Sequence, residues 1–198
     1  MVVAKRAYRM TARADAALAT TERILDAAID VFWERPSDEI SLEDVARRAG
    51  VAKQTVLRRF GSKPGLVAAA AEQALERVRA EREDLVPGDL AGAVPALVAH
   101  YERTGDGVLR MLAEESRNPG LREIADRGRA YHAGWCERVF APALDGLHGS
   151  ERDRRLAQLI AVSDVYTWKL LRRDRGLSRR DVETALRELL EPMMARQR

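Results

Sequence analysis

The hydrophobic positions of this chain recur at intervals of three and four residues, which is the period of an amphipathic α-helix. Near the C-terminus, for example, Val182, Leu186 and Leu190 follow one another at steps of four. Ala, Leu, Arg and Glu dominate the composition while β-branched residues are sparse, and this also favours helix over strand. No segment makes a convincing strand. The pattern therefore predicts an all-α fold of about nine helices.

Helix boundaries are predicted from capping residues, prolines and glycines. Thr20 or Thr21 is placed to cap the first helix, and Pro36 ends it because proline disfavours the helical conformation in the residue before it. The glycines within residues 104–107 predict an interruption between a fifth helix and a short sixth one. Residues 151–174 are predicted to form a single helix.

A helix-turn-helix is predicted within residues 41–66. Ser41 can cap the first helix, and Asp44 three residues later completes the pattern of a capping box. Gly50 follows the helix end and can take a positive φ there. A second helix is expected from about Ala52 to Phe60. Two short helices around a glycine-containing turn are typical of helix-turn-helix motifs.

The charge distribution points to nucleic acid. Residues 47–63 contain six basic side chains and no acid. The formal charge of the whole chain is +3, with 12 basic and 9 acidic residues in 1–66 and 22 of each in 67–198. Lys and Arg that neutralise phosphates release counterions from a duplex. A solvated charged face is the other reading of such a run, but opposite charges alternate through nearly all the rest of the chain.

The segment from Arg23 to Leu66 resembles the DNA-binding domain of TetR/AcrR-type transcriptional regulators. The matching features are R-I-L-x-A-A-x-x-x-F, then S-x-x-D-V-A-x-x-A-G-V, then T-V-x-x-x-F-x-S-K-x-x-L. The resemblance implies a helix-turn-helix domain at 20–66 and a helical ligand-binding and dimerisation domain at 67–198. It also implies a dimeric regulator, expected to be a repressor, that leaves its double-stranded DNA operator when a small-molecule effector binds. A protein partner in place of the effector, or no effector at all, is the alternative.

The second helix of the motif is expected to enter the major groove. Gln54 can bond bidentately to adenine, and Lys53 can reach guanine. The resemblance places Lys53, Gln54 and Leu57 at bases, with Arg58 on the flank. Family members commonly have tyrosine at the position of Leu57, so this contact is reduced to an apolar one. The resemblance further implies phosphate contacts for four residues, which are Ser41, Thr55, Arg59 and Lys63.

Residues 1–19 are predicted to form a basic arm ahead of the domain. Such arms can reach into the minor groove. A tail without a defined DNA contact is the other interpretation. The basic residues concerned are Lys5, Arg6, Arg9 and Arg13.

The segment 67–198 is expected to supply the dimer interface and the effector site. The last two helices carry wide apolar stripes, which suit a four-helix bundle between two copies, unless both stripes face the chain's own core. Polar and aromatic residues among helices four to eight are candidates for the ligand pocket. They are His100, Tyr101, Met111, Tyr131, Trp135, Tyr166 and Trp168.

Other functional classes lack support in the sequence. The three histidines form no H-x-x-x-H pair, and no nucleotide-binding glycine motif or cysteine cluster occurs, so no enzyme, metal or cofactor is predicted. Membrane spans and a signal peptide are not expected, because apolar runs are too short. The single cysteine, Cys136, indicates a reducing cytoplasmic location. It is read as a small buried hydrophobe in preference to a redox sensor.

Overall fold

The computed structural model describes residues 2–195, and the side chains of residues 15–195. Within these residues the chain forms nine helices of five residues or more, the four-residue α7 and no strand, so the all-helical prediction is confirmed. A π-helical turn, Leu170–Asp174, continues directly from α9. The helices are α1 (Val2–Glu34), α2 (Leu42–Ala49), α3 (Lys53–Phe60), α4 (Lys63–Arg82), α5 (Leu90–Glu114), α6 (Pro119–Val139), α7 (Ala141–Leu144), α8 (Gly149–Ser163), α9 (Val165–Lys169) and α10 (Arg179–Met194).

The chain divides into two compact units, the first ending at Ala74 and the second beginning at Leu75. In the first unit α1 packs against α2, and α2 packs against α3. Its core contains Ile24, Val45 and Val56, all at most 1% exposed. Each comes from a different helix, so this small core holds the three helices to one another.

The turn between α2 and α3 has the geometry that the sequence predicts. Ser41 accepts a hydrogen bond from the backbone N–H of Asp44, and the Asp44 carboxylate accepts one from the backbone N–H of Ser41. Gly50 lies in the left-handed region with φ 66°, and its N–H bonds back into the last turn of α2. A residue with a Cβ is strained at this φ. The predicted capping box and glycine stop are therefore confirmed.

The predicted start of the first helix is wrong. Helix α1 begins at Val2 and passes through Thr20 and Thr21 without a break. Both threonine hydroxyls donate to carbonyl oxygens four residues earlier in the helix, those of Ala16 and Ala17. A threonine bonded in this way sits inside a helix and cannot cap one. The side chains of the predicted basic arm, Lys5 to Arg13, lie outside the described residues.

The second unit is built around α5, which packs against α6, α9 and α10. Its core contains Leu97, Trp135, Trp168 and Leu186, none more than 1% exposed. A single continuous α5 replaces the two helices that the glycines of residues 104–107 predict. Gly105 is buried in the middle of α5, where a Cβ would overlap the ring of Trp168. Its glycine is required for close packing and not for a turn.

The helix predicted over residues 151–174 is interrupted at its centre. Helix α8 ends at Ser163, and Asp164 in extended conformation caps α9 by accepting a hydrogen bond from the N–H of Tyr166. Ser163 is fully buried, and its hydroxyl donates to the carbonyl oxygen of Leu159. The break therefore places a buried hydroxyl inside the second unit. In the described part of the chain no helix has the length and apolar character needed to cross a membrane.

We expect Gly105→Ala to lower the free energy of unfolding by about 2 kcal/mol, because the added methyl group overpacks the contact with Trp168. Gly134→Ala in α6 is the matched control, since a Cβ there meets nothing within 4 Å. It should be neutral or stabilise by up to about 1 kcal/mol. Urea unfolding of both variants measures this. Equal stability of the two variants would contradict the packing role of Gly105.

Candidate functional site

The outward surface of α3 is polar and cationic, and we call it the α3 face. Lys53, Gln54 and Arg58 are exposed and Leu57 is half-buried. These four positions share one side of the helix, since they lie one and four residues apart. On the opposite side Val56 is 0% exposed. The three residues predicted to read bases thus lie together on one open surface, with Arg58 beside them.

Several basic side chains around the α3 face are paired with carboxylates of the same unit. Lys53 donates to Glu43, Arg47 to Asp44, and Arg48 to Glu34 with bonds of 2.6 and 2.7 Å. The hydrogen bond from Lys53 lowers the pKa of the Glu43 carboxyl. Apart from the half-buried Asp44, these groups face solvent, so the pairs contribute little to stability. A polyanion can therefore compete with the carboxylates for the same cations.

The four residues predicted to contact phosphates lie on the edges of the α3 face. Ser41 caps α2, and Thr55 is half-buried in the first turn of α3. Arg59 donates to the Thr21 hydroxyl of α1, and Lys63 donates to the carbonyl oxygen of Ser37 at 2.7 Å. Arg59 and Lys63 therefore tie α3 and the start of α4 to neighbouring elements of the unit.

Comparison with known proteins now places this fold. The sequence profile of bacterial regulatory proteins of the tetR family matches residues 24–70. The HTH-type transcriptional repressor KstR of Mycolicibacterium smegmatis is 30% identical over an alignment of 161 positions. The alignment covers 76% of this chain and 74% of the repressor. The chain belongs to the TetR family.

Solved structures agree with this assignment at the level of the fold. A transcriptional regulator from Rhodococcus sp. Rha1 superposes with a TM-score of 0.67 at 22% identity, over 88% of this chain and 95% of that one. A regulator from Saccharomonospora viridis, crystallised in complex with choline, gives 0.60 at 20% identity, over 86% and 95%. This TetR-family chain is accordingly a transcriptional regulator, and the prediction that it is not an enzyme is confirmed by its family.

The second unit of this TetR-family regulator contains a buried arginine. Arg82, at the end of α4, is 3% exposed, and its guanidinium carbon lies 5.0 Å from the centre of the Trp135 ring. The Nε and Nη2 atoms of Arg82 have no hydrogen-bond partner, and neither has the indole Nε1 of Trp135. Burial lowers the pKa of Arg82. A buried guanidinium with unmet donors is unusual, because burying an unpaired charge is costly.

Further polar groups surround this arginine. The Tyr101 hydroxyl donates to the carbonyl oxygen of Ser163 at 3.1 Å. The Ser163 hydroxyl lies 3.2 Å from the Cys136 sulfur and 3.3 Å from Nε2 of His132. His100 has a buried Nδ1 atom without a partner. We call Arg82 and these neighbours the polar cluster. Tyr131 also acts electrostatically on Arg82. The members of the cluster are Arg82, His100, Tyr101, Tyr131, His132, Trp135, Cys136 and Ser163.

Burial in the polar cluster changes the pKa of two histidines and one cysteine. Burial, reinforced by the charge of Arg82, lowers the pKa of His100 to about 3 and that of His132 to about 4. Both rings are therefore neutral at pH 7. Burial also raises the pKa of the Cys136 thiol to about 12, and the side chain is 0% exposed. A thiol of this kind has no thiolate at neutral pH, which agrees with its interpretation as a buried hydrophobe.

The seven residues predicted to bind a ligand are not all in one place. His100, Tyr101, Tyr131 and Trp135 belong to the polar cluster. Trp168 is fully buried and donates to Glu102 at 3.0 Å, whereas Tyr166 on α9 is 57% exposed. Met111 is buried in α5. A surface cavity of about 340 Å³ lies instead beside α7 and α8, and none of the seven residues lines it.

Sequence reasoning missed Arg82, although a signal for it was present. Leu75 and Val78 are apolar residues three positions apart on α4 and therefore share one side of the helix. Arg82 follows Leu75 by seven residues and Val78 by four, so it continues this apolar side toward the core. A charged residue on the apolar face of a helix is the feature that marks this position.

We expect the stability of the protein to fall as the pH drops from 7 to 5. His100 and His132 are half-buried side chains with desolvated rings, so they stay neutral in the folded protein but take up protons in the unfolded chain near the ordinary pKa of 6.5. Their contribution to the free energy of unfolding is therefore complete above pH 6.5 and is lost as the pH falls toward their pKa values in the folded protein. Each histidine should account for about 2 kcal/mol between pH 7 and pH 5.

Urea unfolding of the wild type and of a His100→Gln, His132→Gln double variant at the two pH values tests this. The double variant should lose much less stability on acidification. An unchanged loss would show that neither histidine is buried in its neutral form.

Proposed function

We propose that this TetR-family regulator is a repressor that binds its DNA operator as a homodimer and leaves it when a small molecule occupies the second unit. The α3 face is the main support for the proposal, because the exposed amide of Gln54 lies beside the exposed cations Lys53 and Arg58 on the second helix of a helix-turn-helix. The relative KstR is named as a repressor, which supports the same sign of control here.

The proposed DNA contacts follow from the chemistry of the α3 face. Gln54 would pair with adenine and Lys53 with guanine in the major groove, while Leu57 would meet a thymine methyl group. Arg58 and the edge residues Ser41, Thr55, Arg59 and Lys63 would contact phosphates. Lys53 would have to exchange Glu43 for the nucleic acid on binding, because the two are paired in the free protein. The loss of the bond to Glu43 reduces the free energy of DNA binding that Lys53 contributes.

The proposed dimer interface involves the outer side of the last helices. The inner positions Val182, Leu186 and Leu190 of α10 fill the core of the chain itself. Large apolar side chains nevertheless remain exposed on neighbouring elements, where they would be covered by a second copy. They are Tyr166 on α9, Leu170 on the π-helical turn and Leu189 on α10, at 57%, 54% and 49% exposure.

The polar cluster supports control by a small molecule rather than by a protein partner. Its unmet donors are buried, so they are less accessible to the surface of a protein than to a small molecule. The choline complex of the Saccharomonospora viridis regulator supports the view that this fold can hold a small molecule. Ligand and DNA would favour different conformations of the dimer, so the binding of each would lower the affinity for the other.

We expect Gln54→Ala to lower the affinity for the preferred operator by about 1–3 kcal/mol and to relax the preference for one base pair, because a base contact is lost. Arg58→Ala should instead weaken all duplexes alike and reduce the dependence of the affinity on salt, because a phosphate contact is lost. Binding of both variants to the operator and to single-base-pair mutants of it over a salt series separates the two effects. An unchanged base preference in Gln54→Ala would exclude Gln54 from readout.

We expect Leu189→Asp to convert the dimer into a monomer at micromolar concentration, because a carboxylate would be buried in the apolar interface. Val86→Asp is the matched control, since Val86 is 63% exposed and lies outside the last helices. Sedimentation equilibrium of both variants measures this. Identical association of the two variants and the wild type would place the interface elsewhere.

A further inference from the structure

Arg82 lacks an acidic partner among its neighbours. Glu81 pairs with Arg103, and Glu102 pairs with Arg172 at 2.9 Å. Asp164 accepts the N–H of Tyr166 at the start of α9. These three carboxylates are thus bonded elsewhere, while Arg82, at 3% exposure, has no hydrogen bond to an acid within the described part of the chain. An uncompensated buried charge destabilises a fold strongly.

Three of the four unmet atoms of the polar cluster can only donate; the fourth, Nδ1 of the neutral His100 ring, donates or accepts according to its tautomer. The guanidinium can only donate hydrogen bonds, and so can the indole nitrogen of Trp135. The Nε and Nη2 atoms of Arg82 and Nε1 of Trp135 are all buried and unpaired. The cation also lies 5.0 Å from the Trp135 ring centre, which fixes the two side chains relative to each other. One bound molecule with acceptor atoms could therefore satisfy all three donors on these two adjacent side chains.

The charge of that acceptor follows from the charge of the cluster. His100 and His132 are neutral at pH 7, so Arg82 is the one full positive charge among the cluster's members. A single negative charge would balance it. The planar fork of a guanidinium matches the two oxygens of a carboxylate. Trp135 and Val139 belong to the buried hydrophobic core of the second unit, so the surroundings of the carboxylate would be apolar and would favour a ligand with an apolar body.

We propose that the effector is a monocarboxylate with an apolar body, and that its carboxylate accepts hydrogen bonds from Arg82 and from Nε1 of Trp135. This inference rests on the proposed release of the operator by a small molecule and specifies the chemical class of that molecule. His100 and Tyr131 are only half-buried, so the polar cluster reaches the surface at its edge. Arg82 thereby becomes the residue that selects anions and rejects cations.

The first test measures thermal unfolding of the full chain with a panel of probes. The probes are monocarboxylates from butyrate to octanoate together with benzoate, each compared with its carboxamide, and tetramethylammonium as a cation. A ligand that binds the folded state raises the unfolding temperature with its concentration. At least one carboxylate should do so by several degrees, while its carboxamide and the cation should not.

The second test compares Arg82→Met with Arg77→Met, an exposed position of the same helix. Without ligand, Arg82→Met should unfold a few degrees above the wild type, because a buried unpaired charge is replaced by an apolar group of similar length. It should also lose the response to carboxylates. Arg77→Met should keep the wild-type response.

Three results would overturn the proposal. Carboxylates that stabilise the wild type no more than Arg82→Met would show that Arg82 binds no anion, and its donors would then be met by buried water. Equal stabilisation by the carboxamides would remove the role of charge. Stabilisation by alkyl phosphates and not by carboxylates would show that the ligand is a phosphate and that the proposed carboxylate class is wrong.

Operator binding separates this inference from the proposed function. If the protein binds its operator but no carboxylate of the panel changes its stability, the carboxylate site is refuted and the regulator remains. If carboxylates act through Arg82 but the protein ignores every duplex, the proposed function fails and the carboxylate site remains.

Discussion

The first unit depends on the attachment of one short helix. An eight-residue helix is not stable in water on its own, because it is shorter than the length at which isolated helices become marginal. Helix α3 exists because Val56, 0% exposed, anchors it in a core shared with α1 and α2. The left-handed turn at Gly50 fixes its direction, and the bond from Arg59 to Thr21 adds a second tie to α1. The α3 face lies on the opposite side of the helix from Val56 and takes no part in this core.

The two units use charge in opposite ways. In the first, basic side chains lie at the surface and are paired loosely with carboxylates such as Glu43, so that a polyanion can replace those carboxylates at little cost. In the second, Arg82 is removed from water and left with unmet donors, which is a large penalty unless a ligand offsets it. An exposed, exchangeable cation suits a long, uniform polymer of phosphates. A buried, unpaired cation suits one small anion and discriminates strongly against molecules that lack the charge.

The sequence predicts the first unit better than the second, for physical reasons. The capping box of Ser41 and Asp44 and the stop at Gly50 depend on neighbouring residues, so local spacing reveals them. Gly105 has no such local signature, because its role is set by Trp168, 63 residues away in the chain. Thr20 illustrates the same limit, since a hydroxyl that can cap a helix can equally bond within one. Arg82 has no distinct local signature either, because it lies at a charged helix end and only its spacing from Leu75 and Val78 places it on the apolar side of α4.

We propose that two copies of the α3 face read a duplex together. Selection of bound duplexes from a random pool by this 198-residue chain tests the proposal. We expect enrichment of an inverted repeat whose half-site centres lie about 34–36 Å apart, or at another whole-turn spacing, with two chains on each site. Absence of any enriched sequence, or enrichment of a lone half-site bound by one chain, would contradict it.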